Sequence, residues 1–158
     1  MRYSYRITKY HTYIEGTSYL TSSPEEWTCY DEVGSQVSLE DYLHTETQYV
    51  DAALAISKMA DIDRYQLLFW KKEVENDDEI PYEEGRIITG PVALEESIRH
   101  FLRHMGGKIA AVDGTAELHF GWNYYLYIVC NLPYEKVIGK LNTPLNIEAF
   151  RSPYLDDL

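Results

Sequence analysis

The sequence predicts a single α+β domain over residues 1–158, a mostly antiparallel sheet with about three helices and a C-terminal three-stranded meander. Three observations lead there. The first ten residues, and again those around Ala116–Trp122, alternate in polarity with the period of a strand. Two stretches, opening at Ser38 and at Gly90-Pro91, carry helical spacing together with start and stop signals. No stretch has the continuous Val/Ile-rich character and following glycine-rich turn that a parallel βαβ sheet requires.

Taken in order, Tyr3, Tyr5 and Ile7 point one way and Ser4, Arg6 and Thr8 the other, which predicts a half-buried strand over residues 2–10. Residues 11–26, with Gly16, several Ser and Thr, and Pro24, read as a loop leading to the short apolar segment Trp27–Tyr30. Ser38 can accept from early helix N–H groups, and Glu40 and Asp41 suit the positive end of the helix dipole. A helix over about 39–60 follows, with Leu39, Tyr42, Leu43, Val50, Ala53, Leu54 and Ser57 on one face and Glu46 awkwardly among them. Strands are expected over Arg64–Val74 and Gly85–Thr89.

Pro91 is well placed in the first turn of a second helix, whose stripe is Leu94, Ile98, Phe101, Leu102 and Met105. Glu95 and Glu96 lie near its start, Arg99, His100, Arg103 and His104 near its end, and Gly106-Gly107 terminates it. Lys108–Val112, Asp113-Gly114 and Thr115–Trp122 read as a hairpin with a type I′ turn. Gly121-Trp122-Asn123 turns the chain again into Tyr124–Cys130. Pro133 starts a short helix with Tyr134, Val137, Ile138 and Leu141 on one face, and the tail from Pro144 onward reads as irregular.

The charge excludes more than it selects. Twenty-six acids against fourteen bases give a formal charge of -12, a field that repels nucleic acid and anionic membranes and speeds encounter with cationic partners. Fifteen tyrosines against four phenylalanines suit half-buried sheet faces and interfaces. The longest apolar runs fall far short of a membrane span, and Met1–Arg6 lacks the features of a signal peptide. Cys29 and Cys130 lie far apart outside any CxxC pattern, so two unpaired thiols in a cytoplasmic protein are expected.

Motifs for chemistry are absent. His100 and His104 are four apart, but the zinc-protease pattern needs a glutamate after the first histidine, where Phe101 stands. No metal, cofactor or catalytic residue is therefore assigned. Neither cysteine has a nucleophile's context, and there is no GxSxG, P-loop or GxGxxG. The alternatives kept are a small acid/base enzyme using His100, His104 or His119, and a regulatory protein-binding module. The stretch from Glu73 to Glu84 is the candidate partner-binding segment: Glu73, Glu75, Asp77, Asp78, Glu79, Glu83 and Glu84 with no base, and Tyr82 as an aromatic anchor.

Three stretches taken together resemble one family. They are Tyr5-Arg6-Ile7-Thr8-Lys9-Tyr10, then Glu26-Trp27-Thr28 with Ser38-Leu39-Glu40-Asp41-Tyr42-Leu43, and Phe120–Ile128. The chain is similar there to small acidic bacterial immunity proteins of polymorphic toxin systems, including contact-dependent growth inhibition. The resemblance implies a protein that binds the C-terminal domain of a cognate toxin, a basic nuclease, and occludes its active site.

Overall fold

The computed structural model describes residues 2–69, 84–104 and 106–155. The described chain runs β1 (Tyr3–Thr8), a short hairpin β2 (Thr12–Tyr13) and β3 (Leu20–Thr21), α1 (Leu39–Met59), β4 (Arg64–Phe69) and β5 (Ile87–Thr89). It continues with α2 (Pro91–His104), β6 (Gly107–Ala111), β7 (Ala116–Phe120), β8 (Leu126–Cys130), α3 (Tyr134–Lys140) and β9 (Asn146–Ala149). Seven strands form one sheet in the order β5-β4-β6-β7-β8-β1-β9, each pairing antiparallel, while β2 and β3 pair apart from it. This is the expected α+β architecture.

One face of the sheet carries the helices. Tyr5, Ile7, Leu67, Ile109, Leu118 and Ile128 meet α1 through Tyr49, Val50, Ala53 and Ile56, α2 through Leu94, Ile98 and Phe101, and α3 through Val137. Phe101 lies flat on Phe120 with ring centroids 5.1 Å apart. The start and stop signals hold: Ser38 Oγ accepts from Asp41 N–H at 3.1 Å, and Gly106 adopts φ 93° just past α2.

Four expectations need correction. β1 is not half-buried: Arg6 and Thr8 are as enclosed as Tyr5 and Ile7, because β1 lies inside the sheet and its second face is covered. The cover is the β2–β3 hairpin, found where a plain loop was expected, and the segment around Phe150 and Tyr154. The tail is not irregular, since Asn146–Ala149 adds an edge strand on β1. The type I′ turn is not at Asp113-Gly114, where Gly114 (φ 80°) has the positive φ and its N–H bonds Ala111 C=O. It lies at Trp122–Tyr125, where both central residues, Asn123 (φ 61°) and Tyr124 (φ 59°), are left-handed.

Arg6 organises the second face. Its Nε donates to Glu148 Oε2 at 2.7 Å and its Nη2 to Leu20 C=O at 3.0 Å, and its guanidinium lies 4.3 Å from the Tyr125 ring centroid and 4.0 Å from that of Phe150. Glu148 Oε1 in turn accepts from Leu20 N–H. One buried ion pair thus ties the hairpin to the edge strand.

Candidate partner-binding surface

Of the acidic run, only Glu84 belongs to the described residues, and it is exposed. Glu73, Glu75, Asp77, Asp78, Glu79, Tyr82 and Glu83 lie outside them, as does the part of the expected Arg64–Val74 strand beyond Phe69.

The tyrosines are mostly interior. Tyr5, Tyr10, Tyr42, Tyr49, Tyr65, Tyr124, Tyr125 and Tyr127 are buried, while Tyr13 and Tyr19 are exposed on the hairpin. Buried hydroxyls find internal partners. Tyr10 donates to Asn123 C=O at 2.6 Å, Tyr125 to Leu20 C=O at 3.1 Å, and Tyr49 accepts from Lys9 N–H at 2.8 Å. Tyr65 pairs with Ser57, and burial pushes its phenol up to about 12. The Tyr5 hydroxyl has no hydrogen-bond partner among the described residues. Most of the tyrosine excess is therefore core packing with a polar tip.

The three histidines considered for acid/base work do not meet. His100 and His104 lie one turn apart on α2 with their rings tilted and centroids 4.8 Å apart, and burial together with the neighbouring His104 lowers His100 to about 4, while His119 stands away from both. His119 points from β7 to the opposite face of the sheet, where Nδ1 meets Ser152 Oγ at 2.7 Å and Nε2 stands 3.4 Å from Glu117 Oε2. Ser152 is buried, so this row holds the C-terminal segment to the sheet. Among the described residues no three His, Cys, Asp or Glu side chains are grouped to hold a metal ion. Cys130 is buried, Cys29 is half-buried, and both are free thiols.

The acidic surface of the described chain lies elsewhere. From Tyr10 to Ser57 the sequence has nine carboxylates and no lysine or arginine. That signal is plain in the sequence, but it is spread over 48 residues and is easily overlooked beside the denser run at Glu73–Glu84. Glu15, Glu25, Asp31, Glu40, Asp41 and Asp51 of this stretch are exposed. Of the described lysines and arginines, Arg2, Lys58, Arg64, Arg86, Lys136, Lys140 and Arg151 are exposed and the others turn inward. Among the described residues Arg6 and Lys108 are buried, and Lys9, Arg99 and Arg103 half-buried. Their carboxylate partners are Glu46, Glu95, Glu117 and Glu148, and Glu26 and Glu32 are half-buried as well.

The acidic loop before α1 is anchored, not loose. Lys9 Nζ donates to Trp27 C=O at 2.7 Å and sits 4.0 Å from that ring's centroid. Trp27 packs against Tyr42 and Tyr124, with centroids 5.2 and 4.9 Å away. Tyr30, in a 3-10 turn at Tyr30–Glu32, lies under the Arg103 guanidinium at 5.1 Å. Glu26 and Glu32 accept from Ser23 and Thr28 N–H groups and set the loop's shape. Between this loop, α1 and the Pro144-Leu145 turn opens a cleft of about 430 Å³, lined by Lys9, His11, Glu25, Glu26, Thr45 and Gln48. Trp122, 71% exposed, stands at the tip of the strained β7–β8 turn.

Among the described residues no helix is long and apolar enough to cross a membrane. No protein-family model, curated protein or solved structure matches this chain.

Proposed function

We propose that this chain is a cytoplasmic immunity protein that binds a cationic toxin domain, a nuclease, and occludes its active site. The observation that carries this reading is the acidic stretch from Tyr10 to Ser57, which holds no lysine or arginine. Glu25, Asp31, Glu40, Asp41 and Asp51 face outward on an anchored loop and the helix that follows it. A rigid negative face loses little conformational freedom on binding, steers basic partners at low salt, and presents carboxylates where a nuclease's arginines and lysines otherwise meet phosphates. Exposed aromatic side chains such as Trp122 and Tyr13 supply anchors of the kind that dominate interface energy.

The test starts from the adjacent gene: a large secreted protein encoded there is the expected finding, and its C-terminal domain is co-expressed with this chain. Rescued growth and a complex whose association slows with added salt are the expected results. Reversing Glu25, Asp31 and Asp41 together to lysine should slow association by about tenfold or more at low salt, and reversing Asp77, Asp78 and Glu79 tests the other acidic segment in the same assay. An encoded partner that is acidic, or a complex indifferent to salt, would overturn the reading.

A further inference from the structure

His100 and His104 stand four residues apart at the C-terminal end of α2, and so on one side of the helix. Their ring centroids are 4.8 Å apart and their planes are tilted by 41°. A metal–nitrogen bond of about 2.1 Å puts the centroid of a ligating imidazole about 3.2 Å from the ion. Centroids at the observed spacing then subtend about 100° at that ion, between the square cis angle of about 90° and the tetrahedral angle of about 109°. The separation of the two rings is therefore that of a chelating pair. His104 is exposed and His100 half-buried, so the pair opens to solvent on one side.

The surroundings fit a cation. Phe101 meets the His100 ring edge to face at 5.9 Å, and Tyr30 meets the His104 ring at 6.4 Å, which fixes the orientation of both imidazoles. The nearest guanidinium groups on the helix, those of Arg99 and Arg103, are turned to Glu46, with Glu95 also on Arg99, so their charge is balanced. The carbonyl end of the α2 dipole and the net charge of -12 both favour a positive ion here.

We propose that His100 and His104 form a chelating site for a divalent metal ion of the zinc, nickel or copper class, with water in the remaining coordination positions. Imidazole nitrogen selects these ions over magnesium and calcium, which take oxygen ligands. The role is structural and not hydrolytic, because Phe101 stands where a zinc protease carries its glutamate base. The ion links two successive turns of α2 beside the arginines that hold Glu46. It favours the folded helix over an unfolded chain, in which nothing holds the two rings together.

Calorimetric titration of the purified chain with zinc chloride, in a non-coordinating buffer at neutral pH, tests this alongside thermal unfolding. One equivalent should bind per chain, and zinc at about a hundred times its dissociation constant should raise the melting temperature by about 5–10 °C. Either His100→Gln or His104→Gln should weaken binding about tenfold or more, since a single ring loses the chelate. His104 is exposed, so its variant keeps the fold. His11→Gln, His44→Gln and Cys29→Ser should bind zinc as the parent does. The proposal is overturned by the absence of saturable binding, by affinity that survives both α2 variants, or by affinity lost with His11, His44 or Cys29 instead.

Discussion

Arg103 grips Glu46 with two parallel hydrogen bonds, Nε to Oε2 and Nη2 to Oε1, each 2.8 Å long. Arg99 adds Nη1 to Oε1 at 2.7 Å from one turn earlier on α2. The carboxylate is fully enclosed, while the two arginines keep about a quarter of their side chains in water. Tyr42 and Tyr124 extend the network into the core, Tyr124 donating to the Tyr42 hydroxyl at 3.0 Å. Desolvation pushes Glu46 up, but hydrogen bonds from Arg103, Tyr42 and Arg99 outweigh it and hold the carboxyl below its ordinary value. The acid that interrupts the apolar stripe of α1 is thus the clamp between the two long helices.

Removing one member of such a cluster leaves the others without compensation. Glu46→Ala is expected to cost roughly 3–5 kcal/mol, because two inward-facing guanidinium groups lose their carboxylate. Glu46→Gln keeps shape and some hydrogen bonds and should cost less. Urea unfolding monitored by tryptophan fluorescence gives both values, and a loss below about 1 kcal/mol for the alanine variant would place the pair among ordinary surface bridges.

Glu117 predicts how the protein meets acid. Its hydrogen bond with His119 and its pairing with Lys108 draw it down to about 2 against the opposing effect of its own burial. A carboxyl with a folded-state value below its unfolded one binds fewer protons when folded, so its stabilisation is complete above the unfolded value near 4.3. That contribution is lost progressively as pH falls from about 4.5 toward 2. Glu46 titrates in the same direction. Stability measured at intervals from pH 6 to 2 should fall through this window, and Glu117→Gln should flatten the slope while lowering the plateau.

Local signals carried the helices, and topology hid the rest. The N-cap at Ser38, Pro91 and the glycines after His104 are read by their immediate neighbours, so both long helices appear in the sequence within a residue or two. Arg6 and Thr8 look like the wet side of a strand because nothing local says that Leu20, Phe150 and Tyr154 will cover them from far along the chain. The edge strand Asn146–Ala149 depends on β1 for its pairing, and proline on either side masks it. Glu46 reads as a defect for the same reason: its partners stand more than fifty residues away. The acidic face was legible only as an absence of bases from Tyr10 to Ser57, whereas the density of Glu73–Glu84 drew attention to residues outside those described.

The β7–β8 turn stores backbone strain at a defined place. Asn tolerates the left-handed region, so Asn123 at φ 61° costs little. Asn123→Gly should leave stability within about 0.5 kcal/mol, whereas Asn123→Val, β-branched at a positive φ, should cost about 1–2 kcal/mol. Tyr124 at φ 59° is the strained member, held there because its ring is buried against Trp27 and Tyr49 and its hydroxyl reaches Tyr42. Thermal unfolding of the two Asn123 variants separates these expectations, and equal melting temperatures would remove the turn as a specified feature.

Gly107 marks the closest approach of helix, strand and turn. A Cβ built there would fall 2.2 Å from Phe101 Cε1 and 2.6 Å from the Leu68 carbonyl oxygen, and the second of these is backbone within a paired strand. Phe101 is itself locked on Phe120, so neither neighbour has room to retreat. Gly107→Ala should therefore destabilise by about 1–3 kcal/mol or more through overpacking, in spite of the usual benefit of replacing glycine in a strand. Gly139→Ala, an addition into open space on α3, supplies the contrast and should be neutral or mildly stabilising. Chemical denaturation of the pair measures the difference. A Gly107→Ala variant as stable as the parent would mean that β6 does not lie this close to α2 and β4.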